Sequence, residues 1–78
     1  MPVLQQRFQD KVRQAMACRE INQSRLAELM GVTRAYVSQY VTGRNSPGFD
    51  VVERFADALG FEPWELLDET PIAEKIAS

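Results

Sequence analysis

Apolar residues recur at helical spacing along the chain, and nowhere do they alternate with polar ones as strand residues would. Leu4, Phe8, Val12, Ala15 and Met16 follow a helical period with no Gly or Pro between them. That spacing predicts a first helix over about Val3–Arg19. Leu26, Ala27, Leu29 and Met30 give a second apolar stripe, and Val32, Val37, Tyr40 and Val41 a third. Asn22 suits the N-cap of helix 2, which ends with Gly31 in the C′ position; Thr33 caps helix 3 and Gly43 ends it. The run Arg44-Asn45-Ser46-Pro47-Gly48 is turn chemistry. Helix 4 then spans Phe49 or Asp50 to Leu59, with Val51, Val52, Phe55, Ala58 and Leu59 inward and Gly60 as its stop. Pro63 opens a short fifth helix that runs to Leu67, with Glu62 as its cap. Thr70-Pro71 restarts the chain in a weak final turn or helix from Ile72 to Ala77. The expected fold is all-α: a compact five-helix domain over residues 1–68 and a short C-terminal tail or helix over 69–78.

The stretch from Asn22 to Gly43 is the informative part. Two short helices pivot on Gly31, and Ala27 is small where they must approach closely. The face of the second helix opposite its apolar stripe carries Arg34, Ala35, Ser38, Gln39 and Thr42. A short helix with small polar side chains and one Arg on its open face is what a DNA major groove admits. The pattern is a helix-turn-helix, and double-stranded DNA is the expected partner.

From about Val12 to Leu67 the chain resembles the Cro and lambda-repressor type of helix-turn-helix family, also called XRE-like. The matching residues are Gln23, Leu26-Ala27-Glu28-Leu29, Gly31-Val32-Thr33, Val37-Ser38, Gly43-Arg44-Asn45 and Phe55-Ala56-Asp57-Ala58-Leu59-Gly60. Within that frame, Arg34-Ala35-Tyr36-Val37-Ser38 is similar to the recognition helix of controller proteins from restriction–modification systems. Many relatives pair an Arg late in helix 1 with a Glu near the end of helix 3. Met16 and Val41 stand at those positions here, so both charges are missing together. The expectation is that the two apolar side chains touch instead.

Composition narrows the alternatives. Seventy-eight residues form one domain whose core is marginal without oligomerisation, a metal or disulfides. One cysteine and no histidine exclude an internal disulfide and a histidine-dependent metal or catalytic site. Cys18 is expected to be a buried or half-exposed structural residue. No metal or cofactor is implied, and oligomerisation is the route left. With no apolar leader and no membrane-length span, a soluble cytoplasmic protein is expected. The formal net charge is −2, which is low for a DNA binder. However, residues 1–45 carry seven basic against three acidic residues, a net +4, and residues 46–78 two against eight, a net −6. The basic half holds the helix-turn-helix, and the acidic half is expected to face away from DNA.

Gln23 stands at the start of helix 2, where unpaired backbone N–H groups attract a phosphate; the resemblance implies that its amide joins that clamp. Arg34, first in helix 3, can pair with guanine O6 and N7 or with a phosphate. Ala35 suits a thymine methyl or avoids a clash. Tyr36 either reaches a base edge or phosphate, or lies on the neighbouring helix. Gln39 could read adenine through N6 and N7, and Ser38 can meet phosphate or base. Thr33 at the cap, and Thr42, Arg44 and Asn45 after helix 3, are expected along the sugar-phosphate backbone. The resemblance implies a dimer contact around helix 5, where Phe61, Trp64, Leu67 and Ile72 supply apolar surface.

The resulting expectation is a transcriptional regulator that binds a palindromic operator as a homodimer and acts by occluding or contacting RNA polymerase. A module that binds a partner protein, as antitoxins of this fold do, is the alternative, with DNA binding secondary. An enzyme is not expected: no glycine-rich phosphate loop exists, and the acidic residues are scattered over helix surfaces.

Overall fold

The computed structural model describes residues 3–68. Four α-helices follow one another: α1 Val3–Arg19, α2 Gln23–Met30, α3 Arg34–Val41 and α4 Phe49–Leu59. A single 3-10 turn, Pro63–Leu66, comes after them. The expected fifth helix is therefore this turn. Pro63 starts it, and Glu65 accepts from the Glu62 backbone N–H at 2.8 Å. By Leu67 and Asp68 both backbone N–H groups already converge on the Trp64 carbonyl, at 3.0 and 3.1 Å. Four residues are too few for α-helical propagation, and a tighter turn closes the segment. The tail beyond residue 68, with Ile72, falls outside the described residues.

The helix ends follow their local chemistry. The Asn22 side chain accepts from the Arg25 N–H at 2.8 Å, and Thr33 Oγ1 from the Tyr36 N–H at 3.1 Å. Gly31 turns left-handed at φ 71, so its N–H reaches back to α2 and the chain is redirected into α3. Helix α1 stops without a glycine. Glu20 itself adopts φ 56, and the Ile21 N–H returns to the Met16 carbonyl at 3.0 Å.

The core draws on every element: Phe8, Val12, Ala15 and Met16 from α1, Leu26 and Ala27 from α2, and Val37 and Val41 from α3. Val52, Phe55, Ala56 and Leu59 of α4 and Leu66 of the turn complete it. Phe8 meets Phe55 edge-on at 5.2 Å. Met16 and Val41 both lie in this cluster, in place of the charges expected at those positions in relatives. Leu29 was expected inward but is 48% exposed. At roughly 100° per residue, Leu26, Met30 and Ala27 share one arc of α2, and Leu29 falls outside it.

Lys11, by contrast, is buried, at 4% exposure. Its ammonium contacts Asp68 at 2.6 Å and donates to the Glu65 carbonyl at 3.2 Å, tying the end of the 3-10 turn to α1. Cys18 is exposed, not buried. It follows the helix face that carries Ala17 and Arg19, away from the stripe of Met16. No helix among the described residues is long and apolar enough to cross a membrane.

Candidate nucleic-acid interface

Helix α3 is held from behind and open in front. Val37 and Val41 anchor it in the core, and Tyr40 packs edge-on against Phe55 with centroids 6.1 Å apart. Its last carbonyl, on Val41, accepts from Arg13 Nη2 at 3.0 Å, so α1 caps it. On the opposite side Arg34, Ala35 and Thr42 are exposed, and Ser38 and Gln39 are half-buried. The expected reading face is thus assembled on one side of one short rigid element.

Tyr36 lies at the border of that face. Its ring is half-buried and packs against Tyr40 at 5.2 Å. It lines a cleft with Asp50, Glu53, Arg54, Asp57 and Phe61. Of the two positions open to it, this puts the ring toward α4. It also corrects the expected separation of charge, because acids of the C-terminal half reach the flank of α3.

The basic half needs a further correction. Lys11, Arg13 and Arg19 serve the fold. The first is buried against Asp68, the second caps α3, and Arg19 donates to the Leu59 carbonyl at 2.9 Å. The Arg19 guanidinium also lies 5.4 Å from the Phe61 ring centre. A charge sum along the sequence treats these cations alike, yet Lys11 is buried in an ion pair, and Arg13 and Arg19, though exposed, each bond a carbonyl of the same subunit. Arg25 shares its exposed surface with Glu28 at 3.2 Å. Arg34 and Arg44 are exposed on and beside α3, and Arg13, also exposed, reaches the helix's last carbonyl.

At the N-terminal end of the motif, Gln23 and Arg34 line one concavity with Met16, Asn22 and Ser24. The start of α2 opens into it, with the backbone N–H groups and positive helix end that favour an anion. Thr33, at the start of α3, keeps a hydroxyl proton to donate while its oxygen accepts from Tyr36.

The loop after α3 is braced at several points. Gly43 has φ 84, and its carbonyl accepts from Gln5 Nε2 at 3.3 Å. Ser46 Oγ donates to Gln5 Oε1 at 2.8 Å. Asn45 bonds twice to Gln39, backbone N–H to carbonyl at 3.1 Å and Nδ2 to Oε1 at 2.8 Å. The Thr42 hydroxyl donates to the Ser38 carbonyl at 2.7 Å. None of these cross-links is legible from hydrophobic periodicity. Asn45 at the sixth position after Gln39 was the signal available for the amide pair.

Of the residues expected at the dimer contact, Phe61, Trp64 and Leu67 follow α4 in and around the 3-10 turn, and Ile72 lies outside the described residues. Trp64 is 60% exposed, whereas Phe61 and Leu67 are half-buried against the core.

Residues 12–66 match the helix-turn-helix family along a continuous span. The chain belongs to that family, in its XRE-type branch. This helix-turn-helix protein is 35% identical over 66 residues to control protein C.BamHI of Bacillus amyloliquefaciens, a match covering 83% of this chain and 82% of that protein. A crystal structure of a hypothetical transcription factor, NHTF from Neisseria, aligns with a TM-score of 0.78 at 27% identity. That alignment covers 95% of this chain and 83% of the other. The protein is accordingly a DNA-binding helix-turn-helix protein of the transcription-regulator kind.

Proposed function

We propose that this protein is a sequence-specific regulator that binds a palindromic operator as a homodimer, in the manner of a restriction–modification controller. The observation that carries the reading is the open face of α3, where Arg34, Ala35 and Thr42 are exposed and Ser38 and Gln39 lie beside them. The resemblance of Arg34-Ala35-Tyr36-Val37-Ser38 to controller proteins and the likeness to control protein C.BamHI support the subclass.

In this reading Arg34 reads a guanine edge, Ala35 and Ser38 border neighbouring bases, and Gln39 follows along the groove. Tyr36, leaning toward α4, touches the edge of the site with its hydroxyl. Gln23, Thr33, Arg44 and Asn45 hold phosphates on both sides of the groove, and Thr42 joins them on releasing Ser38. Phe61, Trp64 and Leu67, with Ile72, form the contact between protomers. The exposure of Trp64 supports that contact. Two α3 helices then enter successive major grooves about one helical turn, roughly 34 Å, apart. Regulation follows from occluding RNA polymerase or touching it at the promoter.

Selection from random duplex DNA, followed by binding at two salt concentrations, tests the proposal. An enriched two-fold symmetric motif is expected. Binding of all sequences alike, or of none, would transfer the function to partner-protein recognition.

A further inference from the structure

The two peptide planes on either side of Arg44 are tied to different helices. The plane before it includes the Gly43 carbonyl, which accepts from Gln5 Nε2 of α1 at 3.3 Å. The plane after it carries the Asn45 N–H, which donates to the Gln39 carbonyl of α3 at 3.1 Å. A peptide unit is planar, so a bond to one of its atoms constrains the whole plane. Anchoring both planes restricts φ and ψ of Arg44, and hence the direction in which its exposed side chain leaves the loop. Gln5 reaches past Arg44 as well, because its Oε1 accepts from Ser46 Oγ at 2.8 Å. One turn further along α1, Gln9 lies so close that a Cβ at position 43 would come within 2.8 Å of its Nε2. The loop entry is thus pressed onto α1 at a glycine with φ 84.

Resting on the operator-binding reading above, we propose that Gln5 is a positioning residue that aims Arg44 at an operator phosphate. A phosphate contact made from an unrestrained loop must first order that loop, and the ordering subtracts from affinity. With both flanking planes held beforehand, Arg44 gives up little freedom on binding. The link from Asn45 to Gln39 holds one side of Arg44. Gln5 supplies the other, from a helix outside the helix-turn-helix itself.

The surroundings of Gln5 make this separable from packing. It is half-buried and lines a cleft with Phe49, Val52 and Leu67. Gln5→Met keeps a long unbranched side chain against those apolar groups and removes both hydrogen bonds.

The test is a double-mutant cycle of Gln5→Met and Arg44→Ala, titrated on the operator that the wild type selects from random duplex DNA. Circular dichroism and the urea midpoint check each fold. Ser46→Ala, at an exposed position, breaks only one arm of the bracket and serves as a milder companion. Gln5→Met should weaken operator binding about three- to tenfold and leave the preferred base under Arg34 unchanged. In the Arg44→Ala background the same substitution should cost less than about twofold, because the side chain it aims is gone. Ser46→Ala should weaken binding by a smaller factor, and again only while Arg44 is present. Undiminished affinity in Gln5→Met overturns the positioning role. So does a loss that persists in full without Arg44, since Gln5 would then act on the fold or on DNA directly. Should Gln5→Met fail to fold, the same comparison made with Ser46→Ala decides. No enriched motif for the wild type would instead overturn the operator-binding reading on which this one rests.

Discussion

Arg34 and Lys11 show how differently two cations of the same half of the chain are used. Arg34 is exposed at the front of α3, where its guanidinium can meet guanine bidentately. Replacing it with Ala should weaken operator binding by about 1–3 kcal/mol and relax preference at one base. Titrations on the selected operator and on single-base variants measure both effects. An equal loss on every sequence would assign Arg34 to phosphate. The open face of α3 was legible because it needs only helical spacing and side-chain type. The structural bonds of Lys11, Arg13 and Arg19 were not, because each acts on a carbonyl or carboxylate of an element far away in sequence. Tyr36 was ambiguous for a different reason. Its position on the helix wheel borders both the buried arc and the open one, so only the packing of Tyr40 and α4 decides where the ring leans.

The elements themselves were largely readable. Asn22, Thr33, Gly31 and Gly60 are cap residues that announce where helices begin and end, and α1 through α4 fall where those signals stand. Two ends carry no such signal. Helix α1 closes on Glu20 in a left-handed conformation that costs a side-chain-bearing residue roughly 1–2 kcal/mol. Glu20→Gly should therefore raise stability by about 0.5–1 kcal/mol, seen as a higher urea midpoint with an unchanged slope. The 3-10 turn was expected as a helix because Pro63 and the following residues suit either geometry. Its attachment depends on Lys11, which periodicity alone would have left in solvent. Removing the partner, Asp68→Ala, leaves a buried ammonium poorly compensated. A loss of about 1–3 kcal/mol is expected in chemical denaturation, whereas Lys11→Met should cost less because both the charge and its burial penalty disappear.

For the molecule as a whole, few exposed cations flank α3, and acids border it on the α4 side. Operator binding should therefore involve few phosphate neutralisations per protomer. Arg44→Ala is expected to reduce the slope of log K against log salt by about 1 per protomer. An unchanged slope would place Arg44 off the backbone. The proposed dimer is a separate matter of the Trp64 corner. Trp64→Ala should shift sedimentation toward the monomer and make the melting temperature less dependent on protein concentration, while the circular dichroism of the subunit stays intact. A species of unchanged mass would exclude that corner as the contact.

The exposed thiol of Cys18 is the chain's only one. A maleimide dye would therefore mark each subunit once, near the end of α1. Two such labels on a doubly occupied operator form a molecular ruler, and the energy transfer between them would report the spacing of the bound copies directly.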